Sequence, residues 1–230
     1  MEPTFSIITA TCNRASQLQR ACESVARQTY SKWEHIIVDD ASDNPVQSIL
    51  DAIYPTDKIQ YIKHKERTER ITAYNDGLKL IKNDWVMFLD DDDEIMPFQF
   101  EYLAGAIKQY PDFKIFNWGG LVTAKNKSWI RVRDPVQFEE KIECEVNSGE
   151  IVNGQFMFHK SCLKKTGLFP EARNCYIFAD VAGVPGYNSK TRTLGNPWGQ
   201  DFYLWYKLTR YYCPKKLDYY LYITHLRNTE

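Results

Sequence analysis

Val86-Met87-Phe88-Leu89-Asp90-Asp91-Asp92-Asp93-Glu94 is an apolar run that breaks directly into carboxylates. Its first half suits a short buried strand, since a strand covered on both faces has no polar alternation. Its second half sets four adjacent like charges at the strand's end, and a cation relieves their repulsion most directly. A hard divalent ion with oxygen ligands, Mg or Mn, answers that need, and such ions commonly bridge a diphosphate. A solvated acidic turn is the plainer reading of an acidic run in general. Placement at the end of a buried strand tips the balance toward the cation.

Outward from this run, short β-branched stretches alternate with helical patterns, the signature of βαβ units and an α/β fold with a mostly parallel central sheet flanked by helices. Phe5 to Thr9 reads as the first strand. Asn13 and Ser16 offer caps for a helix whose apolar positions Leu18, Ala21, Cys22, Val25 and Ala26 recur at helical spacing. His35 to Val38 is a second strand, ending in Asp39-Asp40. A helix over 46–53, a strand over 59–62 and a helix over 72–81 lead to the fourth strand, 85–89. Carboxylates thus close two strands, and ligands of open α/β sheets bind at the strands' carboxyl ends. Beyond it the pattern predicts a helix over 97–110, strands over 115–118, 129–132 and 155–158, a long loop over 170–198 and a helix over 201–211.

Composition narrows the function classes. The net charge of -1 carries no global basic field, which argues against nucleic acid as the partner. Six cysteines without a CxxC pair read as free thiols. The chain opens without a secretory leader and holds no apolar run of bilayer-spanning length, so a cytoplasmic protein is expected, with peripheral membrane contact left open. A dinucleotide oxidoreductase would carry GxGxxG where Thr9-Ala10-Thr11-Cys12-Asn13-Arg14 stands, and the P-loop motif is absent.

The stretches Ser6-Ile7-Ile8-Thr9-Ala10-Thr11-Cys12-Asn13-Arg14, Ser24-Val25-Ala26-Arg27-Gln28-Thr29-Tyr30 and Glu34-His35-Ile36-Ile37-Val38-Asp39-Asp40-Ala41-Ser42 resemble the opening of family 2 glycosyltransferases. Further on, Asn75-Asp76-Gly77-Leu78, the aspartate run, Gly167-Leu168-Phe169 and Gly199-Gln200-Asp201-Phe202-Tyr203-Leu204-Trp205 are similar to the family's later motifs, in the family's order. The segment Lys65-Glu66-Arg67-Thr68-Glu69-Arg70 is similar to one in the family's spore-coat polysaccharide member.

The resemblance implies a GT-A (nucleotide-diphospho-sugar transferase) fold in one domain over 1–230, with 1–98 binding the nucleotide sugar and 99–230 the acceptor. It implies an inverting transfer from a UDP-sugar to a carbohydrate-type acceptor, with Mn or Mg as cofactor. In it Ala10 and Thr11 line the base pocket, Asp40 accepts from the uracil N–H, and Asp39 caps the next turn. Arg67 reaches the base or diphosphate, Asp91 holds the ribose, Asp92 ligates the metal, and Asp90 assists either. Asp201 is the catalytic base and His225 contacts the metal or diphosphate, while Asp93 shapes the turn. The family's usual Glu before the base is Gln200 here, and its usual helix Arg is Tyr74. Trp118, Trp129, Trp198 and Tyr187 are candidates for stacking on a sugar ring, and 170–198 is the expected lid. A sugar-phosphate nucleotidyltransferase and a non-catalytic sugar-binding module are the rival readings.

Overall fold

Ile7 and Ile8 are neighbours on one strand and belong to two different cores. Ile7 packs with Leu18, Ile37, Met87 and Phe100, and Ile8 with Ile36, Tyr74, Val86 and Phe88. Successive strand residues point to opposite faces, so the two clusters are the two sides of one sheet. The computed structural model describes residues 1–55, 57–124, 127–133, 153–169, 204, 207–209 and 211–226.

Strands β1 (Phe5–Thr11), β2 (Trp33–Asp39), β3 (Ile59–Lys63) and β4 (Trp85–Phe88) lie in the order β3-β2-β1-β4 and are all parallel. Their carboxyl ends therefore share one edge. Helices α1 (Ala15–Ala26) and α2 (Gln47–Ile53) cover the Ile7 side through Leu18 and Leu50. Helix α3 (Arg70–Leu80) covers the other side through Ile71, Tyr74 and Leu78, joined there by Leu204 and Leu208 of the 201–211 segment expected to be helical.

The expected side-chain caps of α1 are not formed. Asn13 adopts φ 56 and exchanges hydrogen bonds with Asp43, its Nδ2 donating to Oδ2 at 3.0 Å and its Oδ1 accepting from the Asp43 amide at 2.8 Å. Ser16 donates to Gln17 at 2.9 Å instead. Arg14 takes the cap position without a side-chain cap bond. The Asn13 side chain thus ties the loop after β1 to the loop after β2, which fixes the two loops that border the sheet's ligand edge.

Past β4 the sheet becomes mixed. β5 (Glu94–Ile95) and α4 (Gln99–Gln109) lead into β6 (Ile115–Ala124), β7 (Lys127–Arg133) and β8 (Phe156–His159), and β9 (Lys215–Leu226) closes the described chain after the short helix α5 (Leu163–Thr166). β8 joins β4 to β6 by antiparallel pairing, while β9 runs parallel to β6 and antiparallel to β5. The sequence reading contains neither β5 nor β9. A two-residue strand has no period to read, and β9 is recognised only through its partners. Gly154, at φ 84, would carry a Cβ 2.4 Å from the Tyr222 ring, and Gly120 one at 2.7 Å, so both glycines make room for Tyr222 to reach the aspartate run.

Helix α3 sits close to β1 because Gly77 faces Ile8: a Cβ there would lie 2.5 Å from the Ile8 side chain. Ile8 is fully buried and has no free volume to move into. Gly77→Val is expected to lower the unfolding free energy by about 3 kcal/mol through overpacking. Urea denaturation followed by circular dichroism measures this, and an unchanged midpoint would mean that α3 lifts off the sheet without cost.

Candidate functional site

The shared carboxyl edge of β1, β2 and β4 brings together the residues that the sequence singles out. Thr11 ends β1, Asp39 ends β2, and the aspartates follow β4 after Leu89. Each aspartate has its own environment.

Asp91 turns inward and is 4% exposed. Its Oδ2 accepts from the Thr11 hydroxyl at 2.8 Å, and its Oδ1 pairs with the Arg14 guanidinium. Burial pushes its carboxyl up to about 6 against the opposing pull of Arg14 and Thr11. Arg14 reaches Asp92 as well, with Nη2 2.7 Å from Oδ2, so one guanidinium spans two of the four carboxylates. Arg20 holds the same turn from α1, donating to the Asp92 carbonyl at 2.7 Å and lying 3.2 Å from Glu94.

Asp90 and Asp93 face the other way. Asp90 Oδ1 accepts from the Tyr74 hydroxyl at 2.9 Å and from the Asn153 amide at 3.0 Å. Asp93 Oδ2 accepts from the buried Tyr222 hydroxyl and Oδ1 from the His225 backbone amide at 3.2 Å. Burial, joined by the charge of Asp90, pushes the Asp93 carboxyl well above the usual carboxylate range. Asp90, Asp92 and Asp93 each present one oxygen, and the three oxygens lie within 4.8 Å of one another. Three converging carboxylates with that span suit a hard divalent ion held by oxygen at about 2.0–2.6 Å.

The metal set expected from the sequence was Asp92, Asp90 and His225. The structure brings the first two together with Asp93 and sends the His225 ring elsewhere. Its Nε2 lies 2.7 Å from Glu94 and its Nδ1 3.0 Å from the Thr123 hydroxyl, so both ring nitrogens have partners.

Asp39 and Asp40 divide the end of β2 between them. Asp39 accepts from the Ser42 amide at 2.8 Å and from the Tyr61 hydroxyl at 2.9 Å, bracing a turn in which Ala41 adopts φ 62. A left-handed alanine is strained, and such strain persists where surroundings fix it. Asp40 Oδ1 collects three donors, the Thr68 amide at 2.8 Å, the Thr68 hydroxyl at 2.7 Å and His64 Nδ1 at 2.9 Å. Burial works against the Asp40 carboxylate, yet the bonds from Thr68 and His64 outweigh it and hold its pKa below the ordinary value.

Ala10 is half-buried and Arg67 exposed at the same edge, where burial pushes the Cys12 thiol up against the opposing charge of Arg67. Trp118 is fully buried in the core, which removes it from the sugar-stacking candidates. The Trp129 side chain, Trp198, Tyr187, the 170–198 loop and Asp201 lie outside the described residues. Arg14, Tyr74, Asn153, Tyr222, His64 and Thr68 were not assigned roles from sequence. Arg14, Thr68 and Tyr74 lie within family-like stretches of the sequence, while His64, Asn153 and Tyr222 carry no local signal toward the site.

The sequence model of glycosyl transferase family 2 matches residues 6–167. The chain belongs to this family. Relatives include an uncharacterized glycosyltransferase of Haemophilus influenzae, 30% identical over 136 residues that make up 59% of this chain and 45% of that protein. The putative colanic acid biosynthesis glycosyl transferase WcaA of Escherichia coli is 36% identical over 97 residues, 41% of this chain and 34% of its own length. The family 2 chain thus spans less than half the length of these curated relatives. Among solved structures, S. aureus TarS in complex with UDP-GlcNAc superposes over 99% of this chain and 60% of its own at TM-score 0.68 and 19% identity. The mannosyltransferase PcManGT of Pyrobaculum calidifontis, in complex with GDP-Man and Mn2+, covers 100% of this chain and 59% of its own at TM-score 0.66 and 16% identity. The family 2 chain has the GT-A fold of these neighbours.

Proposed function

We propose that this chain is the donor-binding and catalytic part of an inverting glycosyltransferase that moves a sugar from a UDP-sugar to an acceptor hydroxyl with Mn or Mg. The observation that carries the proposal is the convergence of Asp90, Asp92 and Asp93 beside Asp91 and Asp40 on one sheet edge. A nucleotide sugar lies along such an edge with its base toward β2 and its diphosphate toward the aspartate run. Asp40 takes the base, with Ala10 and Thr11 beside it, and Asp91, held here by Thr11 and Arg14, is the carboxylate assigned to the ribose. The TarS complex with UDP-GlcNAc and the PcManGT complex with GDP-Man and Mn2+ support a nucleotide-sugar site in this fold.

Asp90, Asp92 and Asp93 are the residues that would hold a divalent ion, which when bound neutralises charge on the departing diphosphate. Arg67 adds positive charge nearby from the exposed segment before α3. The acceptor hydroxyl needs a base as its oxygen attacks the anomeric carbon opposite the leaving group, and Asp201 is the carboxylate assigned to remove that proton. One displacement from the opposite side inverts the anomeric centre. Among the described residues Cys12, Cys22, Cys162 and Cys213 are free thiols, in keeping with a reducing setting. Among the described residues no helix is long and apolar enough to cross a membrane.

The test is incubation with UDP-glucose, UDP-galactose and UDP-N-acetylglucosamine in the presence of Mn2+. Slow release of UDP through transfer to water is expected with at least one of them. Absence of calorimetric binding for every nucleotide sugar would overturn the proposal.

A further inference from the structure

The three donors on Asp40 Oδ1 leave its Oδ2 as the carboxylate oxygen without a partner among the described residues. We propose that His64 and Thr68 are positioning residues that set the nucleobase preference of the site, by masking one oxygen of Asp40 so that the other receives a uracil-type imide N–H. The inference rests on the reading that Asp40 takes the donor's base.

The carboxylate has little freedom to turn. Its backbone amide donates to the Thr11 carbonyl at 2.8 Å, and the His64 amide donates to the Asp39 carbonyl at 2.8 Å, so both ends of the clamp are fixed to strand backbone. On its far side His64 faces Asp76, with Nε2 3.1 Å from Oδ2 on α3, a contact that is a hydrogen bond when the ring carries both protons. Lys79 in turn holds Asp76 Oδ1 at 2.7 Å. The Asp40 side chain retains 9% exposure and the His64 side chain 14%, so the pair lies at the surface of the edge rather than sealed beneath it.

The chemistry of the bases makes this arrangement selective. The pairing edge of uracil has one donor, the imide N–H, between two carbonyl acceptors. A carboxylate that bonds this N–H with one oxygen brings its second oxygen toward a carbonyl, and the two repel unless donors cover that second oxygen. Three donors cover it here. Guanine presents two adjacent donors that a carboxylate takes with both oxygens, and Oδ1 is already saturated. Cytosine presents a ring-nitrogen acceptor where Oδ2 needs a donor. A site built around one polar match rejects analogues that lack it.

The experiment measures binding of UDP, GDP and CDP by calorimetry with Mn2+ for the full chain and for His64→Ala, His64→Gln and Thr68→Val. The unmutated chain is expected to prefer UDP over GDP by about a hundredfold. His64→Ala should narrow that preference about tenfold, the worth of one donor on a charged acceptor. His64→Gln, which restores an N–H donor, should recover most of it, and Thr68→Val, which keeps the backbone donor, should narrow it severalfold. A merely structural His64 would weaken UDP and GDP alike and leave their ratio unchanged, which overturns the inference, as does an unmutated chain that binds GDP as tightly as UDP. If the unmutated chain binds none of the three, the donor-site reading itself has failed, and UDP binding by that chain separates the two failures. Should His64→Ala unfold, the His64→Gln and Thr68→Val ratios decide the matter, and unchanged ratios in both overturn it.

Discussion

Asp92→Asn is expected to weaken Mn2+-dependent UDP binding by about a hundredfold or more while leaving the fold intact. Replacing a partner that merely orients a metal ligand typically costs about 10–100-fold in affinity, and removing a charged ligand costs at least as much. Asn keeps the size of Asp92 but removes its negative charge, and it can turn an N–H toward the ion. Asp92 is the appropriate member of the cluster to change, because its side chain is 14% exposed, whereas Asp93 is held deep in the sheet by Tyr222. The substitution also loosens the Arg14 ion pair, a partly exposed contact worth about 1 kcal/mol at most. A small drop in melting temperature is therefore compatible with the expectation. Calorimetry with UDP, with and without Mn2+, reads the result. Metal-dependent binding that stays within about threefold of the unmutated chain, a margin well short of one ligand's worth, would remove Asp92 from the metal set.

Asp201→Asn has a different signature. Turnover should fall roughly a thousandfold, within the range supplied by a positioned general base, while UDP affinity and the KM for the donor stay unchanged. Asn matches Asp in shape and cannot accept the acceptor's proton at neutral pH. Leu204 and Leu208 follow at helical spacing and are fully buried in the core that also holds Tyr74 and Phe88, so this segment is anchored independently of residue 201. Steady-state kinetics and UDP binding on the same preparation separate the two roles. Equal loss of turnover and binding would falsify the assignment of Asp201 as base and make it a structural residue.

The two predictions differ in what the fold contributes to them. Asp201 is named by its motif and by the helical pattern after it. Asp92 is named by its motif too, but the fold sets Asp93 beside it and turns the His225 ring to Glu94 and Thr123. Asp93, read from sequence as a turn residue, joins Asp90 and Asp92 because β9 pairs with β5 and brings the Tyr222 hydroxyl and the His225 amide to its carboxylate. His225, read as a contact to metal or diphosphate, has both ring nitrogens engaged by Glu94 and Thr123. Both differences come from contacts between segments more than a hundred residues apart in the chain, beyond the reach of any local pattern.

The parallel half of the fold is legible along the chain. Strands buried on both faces must be continuously apolar, and those runs, the helices between them and the carboxylates that end β2 and β4 are written locally in Ile7, Ile36, Val86 and their neighbours. The sequence also names the chemical groups available, four aspartates in a row and Asp40 before them. How those groups divide the work depends on the packed fold. Asp91 is buried against Thr11 and Arg14, Asp90 and Asp93 are held by hydroxyls from α3 and β9, and His64 and Thr68 close over one oxygen of Asp40. A carboxylate's role follows from its burial and from the donors around it. Those donors come from wherever the packed sheet happens to bring the chain back.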